Sequence, residues 1–304
     1  DYSFIKNNIS KVSFRINDTQ KVVRKNLVML DKAEFLQWLS VPIEKKLRLD
    51  TALSDLKEEK NLMEIRTNRG EFYAKLVILA NGTNYRIQKD LGLLEESTEL
   101  VPCIGGIFKN STLNRDTAYL FYDEEKYFAS WIFPKGDFIH NAGAGVILKN
   151  RKTDGLNLKN AFKQYLQRLE IPLDGEPNFG GNYVTSGPIQ RTYSDRLLVC
   201  GDSAGHTFAA IGEGIYFSLT AGKIGGQTAR KAVENDRFSR DLLVEYERDW
   251  KTSFGRQMGA GVVFATFLFF LMRNHLARYA LKLIKEDEIR DIWFNGHVSF
   301  RLRL

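Results

Sequence analysis

The sequence predicts an α/β (α+β) fold, in which an open α/β domain is interrupted by an antiparallel β-sheet domain and followed by a helical carboxyl-terminal region. Two short apolar strands each stop at a polar residue beside a glycine, at Asn81-Gly82 and at Gly201-Asp202. Between them, residues 101–182 carry aromatic-rich runs separated by tight turns, which is typical of an antiparallel meander. Ligands of open α/β sheets bind beyond the carboxyl ends of such strands, so we expect a ligand at the two polar termini.

Composition indicates a folded globular protein. Of the 304 residues, 43% are hydrophobic and 27% are charged. The two cysteines, Cys103 and Cys200, are far apart, which suits a reducing compartment. With four scattered histidines, they also exclude a zinc site, and we predict no metal. The chain begins at Asp1 without an initiator Met or a signal peptide, so we expect a piece of a longer chain or a processed one.

The net charge of +7 is concentrated at the carboxyl-terminal end. Residues 251–304 hold nine Lys/Arg and four Asp/Glu, which is +5 of the total. No nucleic-acid-binding motif accompanies this charge, and we expect no nucleic-acid partner. The apolar run Met258–Met272 is shorter than the ~20 residues of a membrane span. It predicts a buried core helix or an interfacial membrane-binding element, with a transmembrane helix the least favoured alternative.

The first hundred residues predict strands and one short helix. In LDKAEFLQWLS, Asp31 is placed to cap a helix, with Glu34 three residues later. Strands are expected at 9–17, 27–30, 63–67 and 72–80, and a helix is expected at 158–169.

Small residues dominate the segment that follows the second strand terminus. Gly214, Ser218, Gly222 and Gly226 recur every four residues, and Ala221, Gly225 and Ala229 form a neighbouring row. A helical glycine costs about 1 kcal/mol relative to alanine, so these rows predict close packing on their faces. Gly212-Glu213-Gly214 exposes backbone N–H groups at a helix start, and Asp202 can accept hydrogen bonds from sugar or ribityl hydroxyls. Together they predict a cradle for a long polar cofactor.

Four stretches carry a family resemblance: GDSAGHTFAAIGEGI, LVILANGTNYRIQKDLG, LDKAEFLQWL and WIFPKGDFIHNAGAG. They resemble, in consistent order over about residues 5–250, the motifs of the geranylgeranyl reductase family, within the p-hydroxybenzoate-hydroxylase-type flavoproteins. The resemblance implies an FAD cofactor. It implies cofactor-binding roles for Lys32, Asn81, Gly82, Gly201, Asp202, Gly205, Gly212, Glu213, Gly214 and Ile215. It also implies substrate-binding roles for Trp131, Phe133, Pro134, Gly143 and Gly145.

The sequence departs from the family pattern at several positions. Asn81 replaces an aspartate, Tyr85 a serine, Gln88 an arginine, Ala209 a proline and Ala129 a tyrosine. The chain also contains no G-x-G-x-x-G after a first strand, so we expect the FAD-binding domain to be incomplete, with its first βαβ unit absent.

The resemblance implies a reductase that saturates isoprenoid chains of membrane lipids or their precursors by hydride transfer from reduced flavin. The electron donor would be a nicotinamide or a ferredoxin-like protein. No proton donor can be assigned: Tyr127, His140 and Cys103 are candidates by chemistry alone. Two alternatives stay open, a flavin-dependent monooxygenase of the same fold and a non-catalytic lipid-surface binding protein that has lost the flavin.

The predicted organisation has four segments. Residues 1–100 form the incomplete FAD-binding domain, 101–190 the antiparallel substrate-binding domain, and 191–245 the return segment of the FAD-binding domain. Residues 246–304 form a helical region that contacts a membrane surface. We therefore expect a cytoplasmic protein, peripheral at the membrane.

Overall fold

The structure is a computed structural model that describes residues 2–95, 98–110, 112–136, 138–147, 155–172, 174–209 and 211–295. The chain divides into two compact units. Unit 1 comprises residues 1–47, 101–183 and 264–304, and unit 2 comprises residues 48–100 and 184–263.

The strands, in chain order, are β1 (Ile5–Ile16), β2 (Thr19–Leu30), β3 (Leu53–Glu59), β4 (Leu62–Thr67), β5 (Gly70–Ala74), β6 (Val77–Leu79), β7 (Leu100–Lys109), β8 (Thr117–Asp123), β9 (Phe128–Gly136), β10 (Ile139–Val146), β11 (Asp174–Thr185), β12 (Tyr193–Ser194) and β13 (Leu197–Val199). The α-helices are α1 (Lys32–Ser40), α2 (Arg86–Asp90), α3 (Leu158–Arg168), α4 (Ile215–Glu234), α5 (Arg240–Trp250), α6 (Arg256–Arg273), α7 (Ala277–Leu283) and α8 (Glu286–Asn295). A π-helical turn, Lys251–Gly255, joins α5 to α6.

Unit 1 is built on a seven-stranded sheet with the order β11-β7-β10-β9-β8-β1-β2. Neighbours from β7 to β8 pair antiparallel, whereas β1 pairs with β8 in parallel. Tyr165 of α3 packs edge-on against Phe121 and Phe128 of the sheet. The Tyr165 hydroxyl donates to the Tyr122 carbonyl at 3.1 Å. One face of the sheet is therefore buried under α3.

Unit 2 contains two three-stranded sheets. One is the antiparallel sheet β3-β4-β5, and the other has the order β12-β13-β6, in which β13 and β6 run parallel. The core between them is apolar and consists of Leu56, Met63, Leu79, Ile87, Leu93, Ile189, Leu197, Val199 and Ala204. Helix α5 adds Tyr246, whose hydroxyl donates to the Val199 carbonyl at 2.8 Å.

The predicted fold class is confirmed, with an antiparallel meander at β8-β9-β10 and a parallel strand pair at β6-β13. The helix start at Asp31 is confirmed as well, because its carboxylate accepts the N–H groups of Ala33 and Glu34 at 3.0 and 3.1 Å. The strand expected at 72–80 is instead two strands, β5 and β6, which belong to different sheets.

The two units differ from the predicted segment boundaries at the amino-terminal end. Residues 1–47 belong to unit 1 with the meander, because β1 pairs in parallel with β8 from Lys11↔Thr117 to Ile16↔Tyr122. Residues 48–100 belong to unit 2 with the return segment. The function of each segment stays a proposal.

The apolar run Met258–Met272 lies within α6. The continuous helical stretch Arg240–Arg273, 34 residues long, is long and apolar enough to cross a membrane by length and composition, and 33% of its apolar window is buried. Core helices pass the same test, so this stretch alone is weak support for a membrane span.

Candidate functional site

Two parallel strands of unit 2 bring the predicted polar termini to one sheet edge. Leu79 at the end of β6 is in register with Val199 at the end of β13, and the Cys200 N–H donates to the Leu79 carbonyl at 2.9 Å. Asn81 is the second residue after Leu79, and Asp202 is the third residue after Val199. Both therefore lie beyond the carboxyl ends of parallel strands, where open α/β sheets bind their ligands.

Residues 201–207, here called the Asp202 loop, have little room for side chains at Gly205. Gly205 has a φ of +67°, and a Cβ there would lie 2.3 Å from the Gly187 carbonyl oxygen and 2.4 Å from Thr185 Oγ1. Its N–H donates to the Asp202 carbonyl at 3.0 Å and closes the turn. The conformation and the close approach both require glycine at this position.

The start of α4 lies against the Asp202 carboxylate. A Cβ on Gly214, the residue before the helix, would lie 3.0 Å from Asp202 Oδ1. Glu213 accepts the Phe208 N–H through its carbonyl at 2.7 Å and the Tyr216 N–H through its carboxylate at 3.0 Å. Burial raises the pKa of Glu213. The predicted residues Gly212–Ile215 thus form a hydrogen-bonded helix start beside Asp202.

His206 belongs to the Asp202 loop, and its side chain packs against two aromatic rings. Its ring centroid is 4.6 Å from that of Trp250 and 5.2 Å from that of Phe254, and the side chain is fully buried. Neither ring nitrogen has a hydrogen-bond partner among the described residues. Burial lowers the pKa of His206 to about 3, so the imidazole is neutral at physiological pH.

Lys32, the remaining predicted cofactor residue, belongs to unit 1. It is the exposed first residue of α1. The preceding residue, Asp31, pairs with Lys135 at 2.5 Å, and this hydrogen bond, with those from the α1 backbone, lowers the pKa of Asp31 to about 2. Lys135 therefore binds the helix cap and does not stand free in solvent.

Trp131 is the centre of the predicted substrate residues in unit 1. In register, Gly143 of β10 lies between Trp131 of β9 and Gly105 of β7. A Cβ on Gly143 would lie 2.3 Å from both Trp131 Cζ2 and the Ile104 carbonyl oxygen. The indole N–H donates to Asn141 Oδ1 at 2.9 Å, which fixes the ring over the glycine.

The strand pleat divides the other substrate residues between two faces. Phe133 and Gly145 lie on the Trp131 face, because Phe133 is two positions after Trp131 and Gly145 is two positions after Gly143. Pro134 alternates to the opposite face, where it is buried in register with His140. The structure therefore separates Pro134 from the other four.

The three proton-donor candidates also differ in position. Tyr127 and His140 are buried, and the His140 ring nitrogen Nε2 lies 3.1 Å from the Asn110 carbonyl oxygen. Cys103 is half-buried on β7 and in register with Gly145, which puts its thiol on the Trp131 face. The sequence singled out neither Gly105 nor Asn141, although two consecutive glycines at 105–106 signal a close approach to that strand.

Comparisons with known proteins define the class. No family model matches the chain. A geranylgeranyl bacteriochlorophyll reductase-like protein from Thermoplasma acidophilum superposes with a TM-score of 0.75 and 18% identity, covering 96% of this chain and 76% of that one. A flavin-dependent halogenase, CmlS, shares the fold with a TM-score of 0.67 and 15% identity, covering 93% of this chain and 59% of that one. The chain therefore has the fold of FAD-dependent oxidoreductases.

Relatives with similar sequences identify the family of this chain among the FAD-dependent oxidoreductases. Digeranylgeranylglycerophospholipid reductase 2 of Methanopyrus kandleri is 31% identical over 231 residues, which cover 72% of this chain and 58% of the relative. The digeranylgeranylglycerophospholipid reductase of Methanococcus aeolicus is 35% identical over 197 residues, covering 61% of this chain and 49% of the relative. The chain belongs to the geranylgeranyl reductase family, and it spans about half the length of the curated relatives it matches.

Proposed function

We propose that the chain is part of an FAD-dependent reductase that saturates double bonds in the isoprenoid chains of membrane lipids or their precursors. The observation that carries this proposal is the Asp202 loop, which presents a carboxylate and the Gly214 helix start together beyond two parallel strands. The names of the curated relatives, reductases of digeranylgeranyl lipids, support the substrate class.

The residues of unit 2 fit the flavin half of FAD. The Asp202 carboxylate suits ribityl hydroxyls, and the N-terminus of the 20-residue α4 suits an electron-rich carbonyl. Asn81 at the neighbouring strand end offers an amide beside them. When bound, reduced flavin supplies the hydride that, with a proton, saturates one double bond.

The Trp131 face of unit 1 suits an isolated alkene, which offers almost no polarity for recognition. Trp131 and Phe133 supply apolar surface, and Gly143 allows the Trp131 ring to lie against the strand. Such a face holds a chain by shape and excludes water. The thiol Sγ of Cys103 lies on this face and is our candidate for holding the proton.

The carboxyl-terminal helices support contact with an anionic membrane surface. In unit 1, Phe270, Leu276, Tyr279 and Leu283 are exposed, and Leu283 is 83% exposed. Arg273 and Lys282 are exposed among them. Apolar side chains interspersed with cations are typical of interfacial helices. We therefore propose a cytoplasmic protein that binds peripherally at the membrane, which would give it access to lipid substrates.

The first test is flavin binding. We expect the chain, extended upstream through the first βαβ unit of the FAD-binding domain, to retain FAD after gel filtration, with visible flavin absorbance and FAD identified by mass after denaturation. Reduced with dithionite and given a geranylgeranyl phospholipid, the holoprotein should add the mass of two hydrogens per double bond. Incorporation of oxygen in an aerobic reaction would instead identify the monooxygenase alternative. If neither this chain nor the extended one retains flavin when folded and supplied with excess FAD, the proposal is contradicted and the lipid-surface binding protein is favoured. Activity with NAD(P)H or reduced ferredoxin would then identify the electron donor.

A further inference from the structure

Tyr85 and Gln88, two positions at which the sequence departs from its family pattern, both bind the Asp202 loop. Tyr85 immediately precedes α2, and Gln88 is the third residue of that helix. Both side chains are buried, Tyr85 with 6% and Gln88 with 0% exposure. Their positions three apart on one helical turn direct them to the same neighbour, the Asp202 loop.

Tyr85 binds the backbone of the loop at Asp202. Its hydroxyl donates to the Asp202 carbonyl at 2.9 Å and accepts the Thr185 N–H at 3.3 Å. The same Asp202 carbonyl accepts the N–H of Gly205 that closes the turn. The phenol therefore fixes the peptide group next to the carboxylate that we assign to the flavin.

Gln88 binds the next peptide group and joins both strand ends. Its Nε2 group donates to the Ser203 carbonyl at 3.0 Å and to Asn81 Oδ1 at 3.1 Å. Both partners are acceptors, so only the NH₂ end of the amide can face them. The Asn81 amide donates in turn to the Asn84 carbonyl at 2.9 Å, which fixes its orientation.

We propose that Tyr85 and Gln88 are positioning residues that hold the Asp202 loop in its binding shape, an assignment whose purpose rests on the proposed flavin site. Each supplies a donor to a buried loop carbonyl, and a buried carbonyl without a partner is costly. Without these donors the loop opens more often. Asp202 and Asn81 then lose their fixed relation, which is held through Ser203 and Gln88.

The test uses Tyr85→Phe and Gln88→Met, which remove the donors and nearly conserve volume. Hydrogen exchange of the Gly205 and His206 amides in the flavin-free chain reports opening of the loop, because these amides donate to the Asp202 and Gly201 carbonyls. Each variant should accelerate this exchange about fivefold, equivalent to about 1 kcal/mol. The Kd for FAD, measured on the chain extended upstream through the first βαβ unit, should rise by a similar factor. Gln88→Glu should have the larger effect, because it sets a carboxylate against two acceptors.

The matched control is Tyr246→Phe, which removes an equally buried hydroxyl from the Val199 carbonyl on β13, outside the loop. It should lower the melting temperature but leave loop exchange and the Kd for FAD unchanged. The proposal is overturned if Tyr85→Phe and Gln88→Met behave in the same way as this control. If the parent chain binds no flavin while loop exchange still accelerates in the two variants, the proposed function fails and the positioning role stands.

Discussion

Glycines in unit 1 and unit 2 differ in how closely the surrounding atoms pack against them. In unit 1, Gly143 lies under the Trp131 ring, and a Cβ there would meet Trp131 Cζ2 and the Ile104 carbonyl oxygen at 2.3 Å. In unit 2, Gly222 and Gly226 of α4 are exposed, and a Cβ on either would meet nothing within 4 Å among the described residues. In the sequence, the glycines of β10 and those of α4 stand out for the same reason: glycine is unusual inside a strand or a helix.

The difference shows that spacing alone does not identify the packed face of a glycine-rich helix. The row Gly214, Ser218, Gly222 and Gly226 was predicted to be closely packed along its length. Only the first turn of this row is closely packed, since Ser218 Oγ would lie 3.1 Å from a Cβ on Gly201. The neighbouring row faces the core, where Gly225 lies against Cys200 and Tyr246. Close contact therefore explains one row and half of the other.

The largest effect is expected at Gly205, which combines a left-handed backbone with a close approach. Gly205→Ala adds a Cβ at 2.3 Å from the Gly187 carbonyl oxygen, at a φ of +67°. We expect the free energy of unfolding in urea to fall by about 3–4 kcal/mol, from about 1–2 for the backbone and the rest for overpacking. The control is Gly155→Ala, which has a similar φ of +71° and no described atom within 4 Å of its Cβ, and should lose the backbone part alone. Equal losses in the two variants would contradict the close packing of the loop.

Gly143→Ala should have the next largest effect. The added methyl group must displace the Trp131 ring or separate β10 from β7, so we expect a loss of about 2–3 kcal/mol in the free energy of unfolding. Trp131 fluorescence should change with it, because the ring leaves Asn141. Gly145→Ala, two residues along the same strand, is the control: its Cβ would lie 3.4 Å from Cys103 Cβ, an ordinary contact. If both variants are equally stable, the ring does not cover Gly143 in solution.

The third effect depends on pH and concerns the residue after Gly205. Burial lowers the pKa of His206 from its ordinary 6.5 to about 3. Between these values the unfolded chain binds a proton that the folded chain does not, so stability is complete above about pH 6.5 and falls as the pH is lowered toward 3. His206→Phe keeps an aromatic ring against Trp250 and removes this dependence.

Urea unfolding between pH 7 and pH 4 measures the contribution of His206. The stability of the parent should fall more steeply than that of His206→Phe, by up to about 1.4 kcal/mol per pH unit. Glu247 is the charged group that acts on the imidazole, and it is the same in both proteins. Parallel curves for the parent and His206→Phe would mean that His206 is solvated.

Local signals in the sequence predicted local structure well. The Asp31 cap, the meander turns and the Gly201-Asp202 terminus depend on residues within a few positions of one another. Long-range contacts decide the rest. Tyr85 and Gln88 bind loop carbonyls 117 and 115 residues away, so their role could not be deduced from their own segment. The face that Pro134 takes depends on strand register, and the place of residues 1–47 depends on the β1–β8 pairing.

The smallest effect should have the opposite sign and lies at Gly222. Gly222→Ala adds a methyl group with no described atom within 4 Å and improves helix propensity. We therefore expect the free energy of unfolding to rise by up to about 1 kcal/mol. Gly225→Ala, three residues later on the same helix, should instead destabilise, because its Cβ would lie 3.0 Å from Cys200 Sγ. Loss of stability in both variants would mean that the exposed row is covered in solution by a surface outside the described residues. Sedimentation velocity would then show whether a second copy of the chain is that surface.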